Sequence, residues 1–153
     1  MAQRAGRRVT LVTRSPMLSS YLTVHRTHPT SLPGIVVPTS IEITSDFCAA
    51  VEESEVVIVA VPTQSLREAI APYVSQLRDK PLVSAAKGLE QGTLRRPTQI
   101  LADVLGEWHA APLCALSGPN LASEVALGKP TTTVIAAEAP EIAAAMQRAL
   151  TSS

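Results

Sequence analysis

The sequence predicts an α/β fold built as a doubly wound parallel sheet with helices on both faces. Three observations carry this. Short apolar runs alternate with amphipathic stretches along all 153 residues. Hydrophobic residues make up 46% and aromatics only 3%, so the core must be Ala, Val, Leu and Ile packing. Runs such as V-V-I-V-A-V at 56–61 are continuously apolar, as expected of strands buried on both faces.

Residues 9–13 read as a first strand, and Pro16 to about Val24 as a short helix. The breaker-rich T-H-P-T-S-L-P-G is a loop. Residues 35–37 and 41–43 flank Pro38 and read as extended, edge-like segments. Ser45 and Asp46 cap a helix running to about Glu53. After the strand at 56–61 a helix covers about 64–77, with Leu66, Ile70, Val74 and Leu77 on one face. Pro72 lies within it and predicts a kink or break. A strand at 81–86, a helix at 98–105 ending at Gly106, and a strand at 112–117 follow. A helix at 120–127, a strand at 131–137 and a helix from Pro140 to Leu150 complete the alternation.

Composition excludes several function classes. The net charge is zero, which argues against nucleic acid as the main partner. No apolar run is long enough to span a membrane, and there is no secretory signal. Arg4, Arg7, Arg8, Arg14 and Arg26 all precede the first acidic residue, Glu42, but the immediate core strand argues against a transit peptide. Cys48 and Cys114 sit among apolar residues and read as inert packing in a reducing compartment. His25, His28 and His109 have no metal-ligand spacing with them.

Two strand ends carry the chemistry. In P-L-V-S-A-A-K-G-L-E, Lys87 and Gly88 stand just past a strand, where open α/β sheets bind ligands. A lysine there can meet an anion, and Gly88 lets the chain turn sharply and approach a ligand. In P-L-C-A-L-S-G-P-N, the run breaks at Gly118, and Pro119 suits the first turn of a helix capped by Ser117 or Gly118. Together these look like two walls of one anion-binding cleft. The alternatives are a solvated lysine and a plain βα turn.

V-T-L-V-T-R, L-P-G-I-V-V-P, V-V-I-V-A-V-P-T-Q, S-A-A-K-G-L-E-Q-G-T, S-G-P-N-L-A-S-E-V and G-K-P-T-T occur in that order. The ordered set resembles the Rossmann-like nucleotide-binding domain of the bacterial NAD(P)-dependent glycerol-3-phosphate dehydrogenases, over nearly the whole chain. The resemblance implies a cytoplasmic oxidoreductase that interconverts sn-glycerol 3-phosphate and dihydroxyacetone phosphate with NAD or NADP. Such an enzyme feeds glycerophospholipid synthesis, and the resemblance admits a homodimer in the intact protein. It implies cofactor contacts from Arg14, Lys87 and Ala122, and substrate contacts from Lys87, Gly118 and Asn120. Arg14 lies where a basic side chain meets the adenosine ribose or its 2′-phosphate, which favours NADP.

Besides Asn120, where the family often has Ser or Thr, the sequence departs from the family in two ways that matter more. It has no G-x-G, so the first strand and the glycine-rich turn that meets the pyrophosphate are expected to be missing. The expected consequence is a gap beside the strands at 9–13 and 56–61, with low stability. The family's helical substrate domain, which carries the proton-transferring lysine, is also expected to be absent, so residues 1–153 are expected to form a partial NAD(P)-binding domain without turnover, and no catalytic residue is assigned. The alternatives are a fragment of another two-domain NAD(P)-dependent hydroxy-acid dehydrogenase, or a non-catalytic binding module.

Overall fold

The computed structural model describes residues 1–107 and 109–151. In chain order the elements are β1 (Val9–Val12), α1 (Pro16–His25), β2 (Ile41–Thr44), α2 (Phe47–Glu52) and β3 (Val57–Val59). Then come α3 (Leu66–Ile70), α4 (Val74–Leu77), β4 (Leu82–Ser84), α5 (Pro97–Leu105) and β5 (Leu113–Ser117). The last are α6 (Ala122–Ala126), β6 (Val134–Ala136) and α7 (Pro140–Leu150). Two compact units contain them. The first takes residues 1–50, 119–132 and those from 148 onward; the second takes 51–118 and 133–147.

In the first unit β1 and β2 pair in parallel, Val9 opposite Ile41 and Val12 opposite Thr44. Pro16 begins α1, where a missing N–H costs nothing, and the Ser15 hydroxyl accepts the Leu18 N–H at 3.4 Å. Leu22 is buried beneath this helix, which ends where Arg26 adopts a left-handed φ of 56°. Asp46 Oδ1 accepts the Ala49 N–H at 3.0 Å, so the expected cap of α2 is present. The Arg4 guanidinium donates to the carbonyls of Val125 and Ala126 at 2.7 and 2.8 Å, placing a cation on the C-terminal end of α6.

The second unit is a four-stranded sheet ordered β3-β4-β5-β6. β3, β4 and β5 run parallel, Val57 beside Leu82 and Leu82 beside Leu113. Leu82, Val83 and Ser84 are all buried, as expected of a strand covered on both faces. Leu66, Leu77, Ile100, Leu101 and Cys114 are fully buried, with α3 against α5 and α5 against β5. Each such aliphatic side chain contributes roughly 1.5–3 kcal/mol by leaving water.

Four expectations need correction. β6 runs antiparallel, Ser117 opposite Val134, because residues 118–133 leave and rejoin the sheet at the same end. Residues 35–37 form no strand; Pro38 removes a donor, and the Val37 N–H turns to the Arg26 carbonyl at 2.6 Å. The helix after β5 begins at Ala122 behind Leu121, so neither Ser117 nor Gly118 caps it and Pro119 lies outside it. Cys48 is exposed, whereas Cys114 is buried and its thiol pKa is raised by that burial. The break at Pro72 is present: a 3₁₀ turn at Ala71–Tyr73 divides α3 from α4.

Candidate functional site at the ends of strands β3, β4 and β5

Parallel pairing brings the carboxyl ends of β3, β4 and β5 to one edge of the sheet. β4 leaves that edge through a tight turn. The Ala85 N–H donates to the Val59 carbonyl at 2.9 Å, and Ser84 Oγ accepts the Ala86 N–H at 3.3 Å. Lys87 follows, exposed, and Gly88 takes a φ of 91°, a region that disfavours any residue with a Cβ. The Lys87 ammonium reaches across to β5 and donates to the Gly118 carbonyl at 3.1 Å.

Lys87 and Gly118 therefore come together as the sequence suggests. The contact itself is an ammonium on a carbonyl oxygen. With the following helix displaced to Ala122, the second wall is the turn at Gly118 (φ 124°) and not a helix start. The other three predicted residues, Arg14, Asn120 and Ala122, belong to the first unit. Arg14 is exposed just after β1, Asn120 is half-buried, and Ala122 is the exposed first residue of α6.

Sequence reasoning missed the residues that hold the Lys87 loop. The buried Thr63 hydroxyl donates to the Lys87 carbonyl at 2.7 Å. Gln64 Nε2 donates to the Leu89 carbonyl, and its Oε1 accepts the Gln91 N–H, both at 2.9 Å. Arg67 grips Glu90 with two donors, Nε at 2.6 Å and an Nη at 2.9 Å. The same Nη reaches Asp103 of α5 at 2.9 Å, and Asp103 also pairs with Arg95. The Thr93 hydroxyl donates to Glu90 as well. Hydrogen bonds from Arg67 and then Thr93 hold the Glu90 carboxyl below its ordinary pKa, while the two carboxylates raise that of Arg67. Thr63, Gln64 and Glu90 lie inside V-A-V-P-T-Q and K-G-L-E, but nothing in either motif says that they meet.

The family model for the N-terminus of NAD-dependent glycerol-3-phosphate dehydrogenase matches residues 1–143. The chain belongs to this family. It is 39% identical over 151 residues to the glycerol-3-phosphate dehydrogenase, NAD(P)+, of Nocardia farcinica, covering 95% of this chain and 44% of that protein. It is 41% identical over 133 residues to the enzyme of the same name from Corynebacterium glutamicum, covering 86% of this chain and 40% of that protein. The chain thus spans about two-fifths of the length of these curated relatives. Among solved structures, the glycerol-3-phosphate dehydrogenase of Coxiella burnetii superposes with a TM-score of 0.86 at 23% identity, over 99% of this chain and 46% of that one. That likeness shows the fold: the mixed α/β, Rossmann-like architecture holds. No helix among the described residues is long and apolar enough to cross a membrane.

Proposed function

We propose that this chain is the nucleotide-binding part of an NAD(P)-dependent glycerol-3-phosphate dehydrogenase, with Lys87 as its principal anion contact. The single observation that supports this is the Lys87 ammonium, held over the strand ends by the Gly118 carbonyl. An exposed ammonium at this edge fits a negatively charged oxygen, whether of a cofactor phosphate or of a phosphorylated substrate. The residues present fit that half of the demand. The glycine-rich turn that would cradle a pyrophosphate has no counterpart in this sequence.

In this reading the nicotinamide, when bound, supplies the hydride chemistry, and the protein binds and orients. Lys87 touches both cofactor and substrate, Gly118 and Asn120 line the substrate, and Arg14 and Ala122 touch the cofactor. Arg14 favours NADP through the 2′-phosphate. The substrate pair is sn-glycerol 3-phosphate and dihydroxyacetone phosphate, in a cytoplasmic enzyme. The remaining length of the relatives lies outside the match, so the role proposed for residues 1–153 is binding.

Titration of the chain with NADPH, followed by nicotinamide fluorescence, tests the reading. Lys87→Met removes a charge-assisted hydrogen bond worth about 1.5–3 kcal/mol, so binding should weaken roughly ten- to hundredfold. A wild-type chain that does not bind NADPH or NADH, or a K87M chain that binds as well as wild type, overturns it.

A further inference from the structure

Four of the five residues from 87 to 91 are tied to one short segment, 63–67. The Lys87 carbonyl is held by Thr63, the Leu89 carbonyl and Gln91 N–H by Gln64, and the Glu90 carboxylate by Arg67. The segment thus meets the loop with three side chains at positions i, i+1 and i+4. The Glu90 side chain is only 11% exposed, although nothing in a surface loop requires a buried carboxylate. Its Arg67 partner continues to Asp103, so the loop is fastened to both α3 and α5. The loop also closes on itself: the Glu90 N–H donates to the Arg95 carbonyl, and the Leu94 N–H to the Glu90 carbonyl, both at 2.9 Å.

A lone lysine on a mobile turn would spread its ammonium over many rotamers, and the entropy of fixing it would be charged to every ligand it met. Here the backbone at 87 is fixed before any ligand arrives. We propose that Glu90, through its two-donor pair with Arg67, is a positioning residue for Lys87: it sets where the ammonium stands without touching a ligand itself. This rests on the functional reading for its purpose, but not for its test. A bidentate pair fixes direction as well as distance, which a single-point contact does not.

The chain has three lysines, Lys80, Lys87 and Lys129. Lysine labelled with 13C at Cε and 15N at Nζ therefore gives three readable side-chain signals, with Lys87 assigned from K87M. In Glu90→Gln and in Arg67→Lys, the Lys87 signal should shift and its side-chain order should drop, while Lys80 and Lys129 keep their wild-type positions; Arg67→Lys adds a fourth lysine signal, which combining it with Lys87→Met tells apart from that of Lys87. NADPH binding should weaken about three- to tenfold in both variants. A Lys87 signal unchanged in both variants overturns the proposal, as does an equal disturbance of all three lysines in folded protein, which would mark a merely structural pair. If E90Q fails to fold, R67K decides, since it retains the charge and loses the two-donor geometry. A wild-type chain that binds no nicotinamide cofactor ends the functional reading alone; the Lys87 signal still decides whether Glu90 positions it.

Discussion

Thr63→Val is the sharpest probe of how the strand ends are assembled. The Thr63 side chain is buried, and its hydroxyl donates to the Lys87 carbonyl at 2.7 Å. Valine has nearly the same shape, so no cavity opens and the change isolates one hydrogen bond. A typical intramolecular bond contributes about 1 kcal/mol net, and more where the abandoned partner stays dry. The bond to the Lys87 carbonyl is part-buried, so the loss is taken near that typical value. A loss of about 1 kcal/mol lowers Tm by roughly 2–4 °C for a chain of this size. Thr63→Ser makes the opposite cut: it keeps the hydroxyl and loses a buried methyl, at a comparable cost of about 0.8 kcal/mol. Thermal melts of the two variants should therefore look alike. NADPH titrations should not: T63V should bind about three- to tenfold more weakly, and T63S like wild type. If T63V bound NADPH normally, or if T63S bound as poorly as T63V, the hydrogen bond to Lys87 would have no part in the site.

Gly88→Ala should cost about 1–2 kcal/mol in urea unfolding, because alanine is strained at φ 91°. A Cβ there meets nothing within 4 Å, so an unchanged midpoint would show that the backbone can relax. Arg14→Asp should move cofactor preference from NADPH toward NADH in paired titrations; a constant ratio would take Arg14 away from the ribose. Leu101→Ala, at a fully buried position of α5, should cost about 2–5 kcal/mol by chemical denaturation. Acid should loosen the loop that carries Lys87. The Glu90 carboxyl has its folded pKa below its ordinary 4.5, so its stabilisation is complete above that value and is lost as pH falls through the folded pKa. Wild type should therefore lose stability more steeply than E90Q as pH falls below the ordinary carboxylate range, and parallel profiles would contradict this.

Strand β4 was legible because it is buried on both faces, whereas the equally apolar β3 leaves Ile58 exposed, against the expectation for 56–61. The apolar flanks of β4 give no sign of where the ladder stops, so 81–86 reads as strand while β4 spans only Leu82–Ser84. The break at Pro72 was legible because the ring forbids a helical N–H wherever it stands. The reading of 117–121 failed because Gly, Pro and Asn serve a loop and a helix start equally well; here they make a loop, and Leu121 precedes the helix. The direction of β6 was hidden because a three-residue run, exposed at both ends and half-buried at Ile135, looks the same in either sense. At the site, Lys87 and Gly118 could be placed because each closes a strand of the same parallel set. Arg67 and Glu90 could not: they are 23 positions apart, and each alone reads as an ordinary surface charge.

One N–H of the Lys87 head is committed to an oxygen of its own chain, and the backbone behind it is pinned as well. A swivelling four-carbon stem thereby becomes a strut with two attachment points. Arginine at this position would preserve the sign of the charge yet bring a flat, broader fork that does not seat on a single carbonyl in the same manner. Exchanging one cation for another at residue 87 is thus a change of architecture, and counting charges along this edge of the sheet will misjudge which substitutions it tolerates.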